Sequence, residues 1–259
     1  MLLDIRSSIS DLQLYREEPA LWLLKHHPDY LYRTGGSPAT LRGHAVEHGI
    51  RTFTRFFRHG MSVDTAIRFA QRRFLREVPD AGAPELLKYE EEFTKVPDYI
   101  LQACRWLIDN KLCNGYVSYQ HKVEGVIEGI KLLGYTDFVF SDPDGVLHGI
   151  DIKSTDRVPS EMRDTHVEQM AFYRLITGQN WSCLYVSTKR AVAHTLTDEQ
   201  YHVGLARIRS TLKSMKAALA LPDWQTLFTI FPPRDLSGFR WDDQARFYAS
   251  NIWSIHEDE

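Results

Sequence analysis

GYTDFVFSDPDGVLHGIDIKST, residues 134–155, decides how this chain folds. β-Branched and aromatic residues flank Ser141-Asp142-Pro143-Asp144-Gly145, whose turn formers predict an antiparallel hairpin between strands over 134–142 and 146–153. Folding back at Pro143 to Gly145 brings Asp137 toward Asp151, since each lies a comparable number of residues from the turn. Within Asp151-Ile152-Lys153 the side chains alternate. The carboxylate and the ammonium therefore share one face, and Ile152 enters the core on the other.

Two carboxylates meeting at one point repel each other and call for a cation. Hard oxygen ligands with room left for water suit Mg²⁺ or Mn²⁺ rather than zinc. Such an ion polarises a phosphoryl oxygen, and Lys153 beside it is placed to orient or help deprotonate an attacking water. Ser154 and Thr155 continue the strand and are candidate substrate contacts.

Downstream, Met162, Val167, Met170, Ala171, Leu175 and Ile176 recur at helical spacing, which predicts a helix over 160–177 with Pro159 at its start and Gly178 at its exit. Gln169 and Tyr173 are four apart and project from one side of it, toward the preceding strand. His166 lies one turn earlier, either contacting a phosphate or sitting plainly on the surface. Strands over 182–187 and 191–196 follow, then a helix N-capped by Thr197 and running to about Leu219.

Upstream, a helical region over about 10–79 is broken by Gly35-Gly36-Ser37-Pro38. Asp80-Ala81-Gly82-Ala83-Pro84 reads as a second loop, 97–110 as a helix with Pro97 in its first turn, and 116–124 as a strand. Glu124 and Glu128 are surface carboxylates or contacts for a second cation. Near the other end, Phe231-Pro232-Pro233-Arg234 reads as a turn, and 241–253 as a helix whose aromatics pack on the flank of the sheet. The expected class is α/β, a central mixed sheet flanked by helices with a helical N-terminal region. We expect one domain, with a helical part to about 115, a sheet core over 116–196 and a helical part over 197–259.

With 259 residues and 43% hydrophobic content the chain can bury a substantial core. A net charge of −3 excludes a protein that coats nucleic acid, so any attraction for phosphate has to be local. Arg51, Arg55 and Arg58 interleave with Phe53, Phe56 and Phe57, and Arg68, Arg72 and Arg73 follow. These residues either line a groove for a strand, with aromatics for base stacking, or divide into core phenylalanines and solvated arginines. Cys104, Cys113 and Cys183 form no pairing pattern and read as reduced, core-packed thiols of a cytoplasmic protein. Residues 1–10 carry no long apolar run and read as neither signal peptide nor membrane anchor.

Taken in order, five elements resemble the PD-(D/E)XK nuclease superfamily, in the branch that includes RecB-type, lambda-exonuclease-type and related phage nucleases. They are Ser8-Ile9-Ser10-Asp11-Leu12 with Tyr15 and Glu18-Pro19; Arg42-Gly43-His44-Ala45-Val46-Glu47; Gly134-Tyr135-Thr136-Asp137; Asp151-Ile152-Lys153; and Gln169 with Tyr173. The resemblance implies a restriction-endonuclease-like core and a Mg²⁺- or Mn²⁺-dependent exonuclease serving recombination, repair or phage DNA replication. It makes Glu47, Asp137, Asp151 and the Ile152 carbonyl metal ligands, Lys153 the catalytic lysine, and Gln169 and Tyr173 positioning groups. It further implies DNA ends as substrate and a single-strand-binding or annealing protein as partner, and it leaves oligomeric state, polarity, RNA as substrate and the number of metals open. Glu47 stands where RecB-type members carry His, as in lambda-exonuclease-type members. Some CRISPR-associated relatives hold an iron–sulfur cluster on four cysteines; with three here, none is expected.

His44-Ala45-Val46-Glu47-His48 also spells H-x-x-E-H, the inverted zinc-peptidase pattern, with Glu124 as a conceivable third ligand. That reading leaves Asp137, Asp151, Lys153, Gln169 and Tyr173 without a role, whereas the nuclease reading uses Glu47 and explains all five. A non-catalytic nucleic-acid-binding relative is the remaining alternative.

Overall fold

The computed structural model describes residues 7–28, 37–78, 83–221, 223–238 and 240–254. Residues 35–36 and 80–82 of the two expected loops lie outside these. Helix α1 (Ile9–Glu17) starts on a capping box, in which Asp11 N–H donates to Ser8 Oγ (3.2 Å) and Ser8 N–H to the Asp11 carboxylate (2.9 Å). Helices α2 (Pro19–His26) and α3 (Pro38–Phe56) both open on proline, whose missing N–H is spare at that position. Ser37 caps α3, and Ser62 caps α4 (Val63–Glu77).

Helix α5 (Ala83–Asp109) corrects the expected start at Pro97, since that proline lies inside it. Its buried face, Tyr89, Val96, Tyr99, Ile100, Ala103, Cys104 and Leu107, continues through the proline at helical spacing. Packing of that face outweighs the ~3 kcal/mol that an interior proline costs. Helices α3, α4 and α5 share one core with Phe138, Phe140, Ile150, Ile152, Leu184 and Val186. Gly49 lets α3 come close, because a Cβ there would lie 2.6 Å from Ile100 Cδ1 and 3.0 Å from Ala70 Cβ.

Strands β1 (Tyr116–Ile127), β2 (Ile130–Ser141), β3 (Leu147–Ser154), β4 (Trp181–Val186) and β5 (Ala191–Thr195) form one mixed sheet in sequence order. Glu128 and Gly129, with φ of 53° and 82°, make the two-residue turn between β1 and β2. The expected hairpin is present, with β2 antiparallel to β3 and Phe138 opposite Ile150. β3 and β4 run parallel, Asp151 beside Cys183 and Lys153 beside Tyr185, and β5 returns antiparallel. A parallel step needs a crossover, which α6 (Asp164–Thr177) supplies, closed by Gly178 at φ 69°. α6 starts later than the expected 160, because Arg163 is held extended with its N–H on Tyr185 Oη (3.1 Å).

Thr197 and Gln200 form the capping box of α7 (Asp198–Leu219), and α8 (Trp224–Ile230) and α9 (Asp243–Trp253) follow. The expectation that the last aromatics flank the sheet is corrected: Trp241, Ala245 and Ala249 pack on Ala20, Leu21 and Leu24 of α2. The chain, read above as one domain, divides into two compact units. One comprises Met1–Gly35, Glu124–Gly134 and Val203–Glu259, the other Gly36–Val123 and Tyr135–His202. The second unit holds every residue of the site described next. Among the described residues no helix is long and apolar enough to cross a membrane.

Candidate active site

The ladder between β2 and β3 ends at Phe138 and Ile150, one step short of Asp137 and Asp151. There the Ile152 N–H donates to Asp137 Oδ2 (2.9 Å) in place of a backbone carbonyl. Both carboxylates are buried, Asp137 at 8% exposure and Asp151 at 1%. Lys153 Nζ lies 2.6 Å from Asp151 Oδ2. That ion pair engages Oδ2, a buried oxygen. Gln169 Nε2 on α6 donates to Asp151 Oδ1 (3.2 Å) and to Tyr173 Oη (2.8 Å), and Tyr173 Oη donates to the Tyr135 carbonyl (2.6 Å). The helical i, i+4 pair thus ties the second carboxylate to the strand that carries the first.

Glu47 on α3 joins the same electrostatic group. Burial and the Asp151 charge raise its pKa, and burial with the Asp151 and Glu47 charges raises that of Asp137 well above the carboxylate range. Burial works against the Lys153 ammonium, but Asp151 and Asp137 outweigh it and hold the proton more tightly than in an ordinary lysine. Three carboxylates face one ammonium, an imbalance that favours a cation of charge two. The donors are hard oxygens, so the residue set fits a divalent ion of the magnesium class. Among the described residues no three His, Cys, Asp or Glu side chains are drawn together around one point. Asp137 and Asp151 lean instead on Ile152 N–H and on Lys153.

Sequence reasoning missed how Glu47 is held. Tyr119 Oη donates to Glu47 Oε2 (3.2 Å), and Gln120 Nε2 approaches the same oxygen at 3.5 Å. Consecutive strand residues normally face opposite ways. Gln120 has φ of 53°, a left-handed kink within β1 that turns both side chains to one carboxylate. The sequence also concealed the anchor one turn before Glu47. Arg42, 5% exposed, pairs with Glu92, lies 4.8 Å over the Tyr99 ring and reaches the Ser154 carbonyl at 3.4 Å. It thereby pins α3 to α5 and to the end of β3.

The other expected residues divide. Arg51 stacks over Tyr119 at 4.8 Å, beside Glu47. Arg55 and Arg72 are exposed, with Arg55 over Phe56, and neither has a contact tying it to the carboxylates. Phe53 is buried in the core with Phe57 packed on it, so of the three phenylalanines Phe56 alone is exposed. His166 Nδ1 lies 2.5 Å from Tyr185 Oη, and burial with the Lys153 and Arg163 charges pushes its pKa down to about 3, so the ring is neutral and half-buried rather than plainly on the surface. Thr155 Oγ1 donates to the Arg157 carbonyl (3.0 Å). Of the H-x-x-E-H residues, His44 is exposed and faces Glu77 (3.3 Å), while Tyr119 holds Glu47 beside the Asp151 charge. Glu124 is exposed, and Glu128 lies 3.9 Å from Lys213. Cys104, Cys113 and Cys183 are buried free thiols.

No family model matches this chain, and no curated protein matches it. Among solved structures, a provisionally named exonuclease from Eubacterium rectale superposes with a TM-score of 0.58 at 13% identity, over 93% of this chain and 87% of that one. A second, SSO0001, gives a TM-score of 0.30 at 16% identity over 61% of this chain and 89% of its own, too low to carry an argument. At such identity the first likeness shows a shared fold alone, with a protein named as an exonuclease.

Proposed function

We propose that this chain is a nuclease of the PD-(D/E)XK type, a divalent-metal-dependent exonuclease acting on DNA. The observation that carries this reading is the pair of buried carboxylates, Asp137 and Asp151, beside the single ammonium of Lys153, with the half-buried Glu47 in the same electrostatic group. Glu47, Asp137, Asp151 and the Ile152 carbonyl would hold Mg²⁺ or Mn²⁺. The ion, when bound, supplies a Lewis acid for the phosphoryl oxygen and lowers the pKa of water. Lys153, kept protonated by its acidic neighbours, donates a hydrogen bond to the phosphate or to the attacking water. It becomes a better proton acceptor only as those neighbours are neutralised. Gln169 fixes the Asp151 carboxylate, and Tyr173 moors Gln169. DNA as substrate, attack at ends and a place in recombination, repair or phage replication rest on the sequence resemblance; the name of the superposed exonuclease agrees with attack at ends.

The test is end-labelled single- and double-stranded DNA of both polarities beside closed circles, with Mg²⁺ or Mn²⁺. Lys153→Ala should cut at least ~100-fold more slowly while still binding DNA. Cutting at the parental rate by that variant, or no cutting by the parent with either ion, overturns the reading.

A further inference from the structure

Where β3 and β4 end side by side, residues 156–160, Arg163, Ser187, Lys189 and Arg190 line a cavity of about 700 Å³. Four of these side chains, Arg157, Arg163, Lys189 and Arg190, are basic and exposed. Among the described residues none of the four is paired with a carboxylate. Asp156, the one acid in the lining, is already engaged: Tyr99 Oη donates to it (3.2 Å), and Arg42 and Lys95 lie at 3.5 and 3.9 Å. In a chain of net charge −3, four cations gathered around one hollow repel one another unless an anion sits among them.

Both walls are built rather than loose. The buried Ser187 Oγ accepts the N–H groups of Lys189 (3.3 Å) and Arg190 (3.1 Å) and donates to the Arg190 carbonyl, which locks the turn between β4 and β5. Opposite, Arg163 N–H donates to Tyr185 Oη, and its guanidinium approaches Thr155 Oγ1 at 3.5 Å. Tyr185 stands beside Lys153 in the strand register, so the basic wall and the catalytic lysine share one support. The carboxyl ends of parallel strands are also where open α/β sheets take their ligands.

We propose that this pocket binds a phosphate of the nucleic-acid strand next to the bond being cut, a proposal that rests on the nuclease reading above. Guanidinium groups suit it, because they meet phosphate oxygens in pairs. The phosphate is either a terminal monoester or an interior diester, and the oligonucleotides of the test separate the two.

The test uses the full-length protein with Arg157→Ala/Arg190→Ala, single Arg157→Ala, and the charge-keeping Arg157→Lys/Arg190→Lys, all at exposed positions and each checked by its thermal melt. Fluorescent single strands carrying a 5′-phosphate, a 3′-phosphate or neither are titrated in EDTA over a salt series, and cleavage is followed with Mn²⁺. Expected for the double alanine variant are affinity lower by about tenfold, a salt slope shallower by about 0.7 per lost phosphate contact, and KM raised with kcat within about twofold. The lysine variant recovers part of each. A loss confined to one phosphorylated end identifies the terminal phosphate, and an equal loss on all three strands the interior diester. Affinity and slope equal to the parent overturn the pocket and leave the nuclease reading standing. A variant that loses binding while the parent cuts nothing keeps the pocket and removes the nuclease reading. A parent that binds none of the strands ends both.

Discussion

Asp137 is a carboxylate that the fold would rather keep neutral. Burial and the charges of Asp151 and Glu47 raise its pKa, so the native state holds a proton that the unfolded chain releases near the ordinary value of about 3.9. With more protons bound in the native state, stability falls as pH rises above that value. Asp137→Asn keeps an oxygen for the Ile152 N–H and removes the penalty. We expect the variant to melt at higher temperature than the parent at pH 8 in EDTA, with the gap closing toward pH 4, and to be inactive. Thermal unfolding over that range decides it, and an equal or lower melting point at pH 8 would refute the argument. Tyr173→Phe tests the next layer. It leaves the Tyr135 carbonyl without its 2.6 Å donor and frees Gln169, for a cost of about 1–2 kcal/mol in urea unfolding. On the proposed function cleavage should fall about tenfold in kcat rather than KM, because Tyr173 lies outside the proposed phosphate pocket and only the Asp151 carboxylate has lost its brace.

At the start of α1, the Ser8-to-Leu12 segment that marks the sequence resemblance does structural work. Burial pushes the Asp11 carboxyl up, but His26, Lys25 and the Ser8 N–H outweigh it and hold it below the carboxylate range. The unfolded chain then takes up the proton first, so this stabilisation is full above about pH 3.9 and is lost as pH falls below it. Asp11→Ala should cost about 1–2 kcal/mol at pH 7 and visibly less at pH 3. Urea unfolding at the two pH values checks this, and an unchanged gap would count against it. What was legible in the sequence has this local character. The turn at Pro143 to Gly145, the shared face of Asp151 and Lys153, the spacing of Gln169 and Tyr173 and the Thr197–Gln200 cap are each written within a few residues. Glu47's partners were not, because strand alternation forbids Tyr119 and Gln120 from meeting one oxygen, and glutamine does not advertise a left-handed backbone. Nor was the path of α5 through Pro97, or the packing of Trp241 on α2, since both are settled by distant apolar partners.

Across the whole molecule, a formal charge of −3 hides a division of labour. Acidic groups are sunk between β2, β3 and α3, where they attract a cation and repel phosphate. Basic groups stand exposed at the ends of β3 and β4, around a cavity made of segments 156–163 and 187–190 that the parallel crossover alone brings together. On the proposed function a polyanionic strand is captured by cations and reacts among carboxylates, so salt should act on capture and hardly on chemistry. With the one phosphate of the proposed pocket on a single strand, the binding slope is about −0.7, which predicts a roughly 2.6-fold loss of kcat/KM between 50 and 200 mM salt. Steady-state kinetics at fixed Mg²⁺ should show that loss almost entirely in KM. A KM indifferent to salt would mean that these cations do not meet the phosphates, whereas an equal fall in kcat would mean that salt reaches the carboxylates themselves.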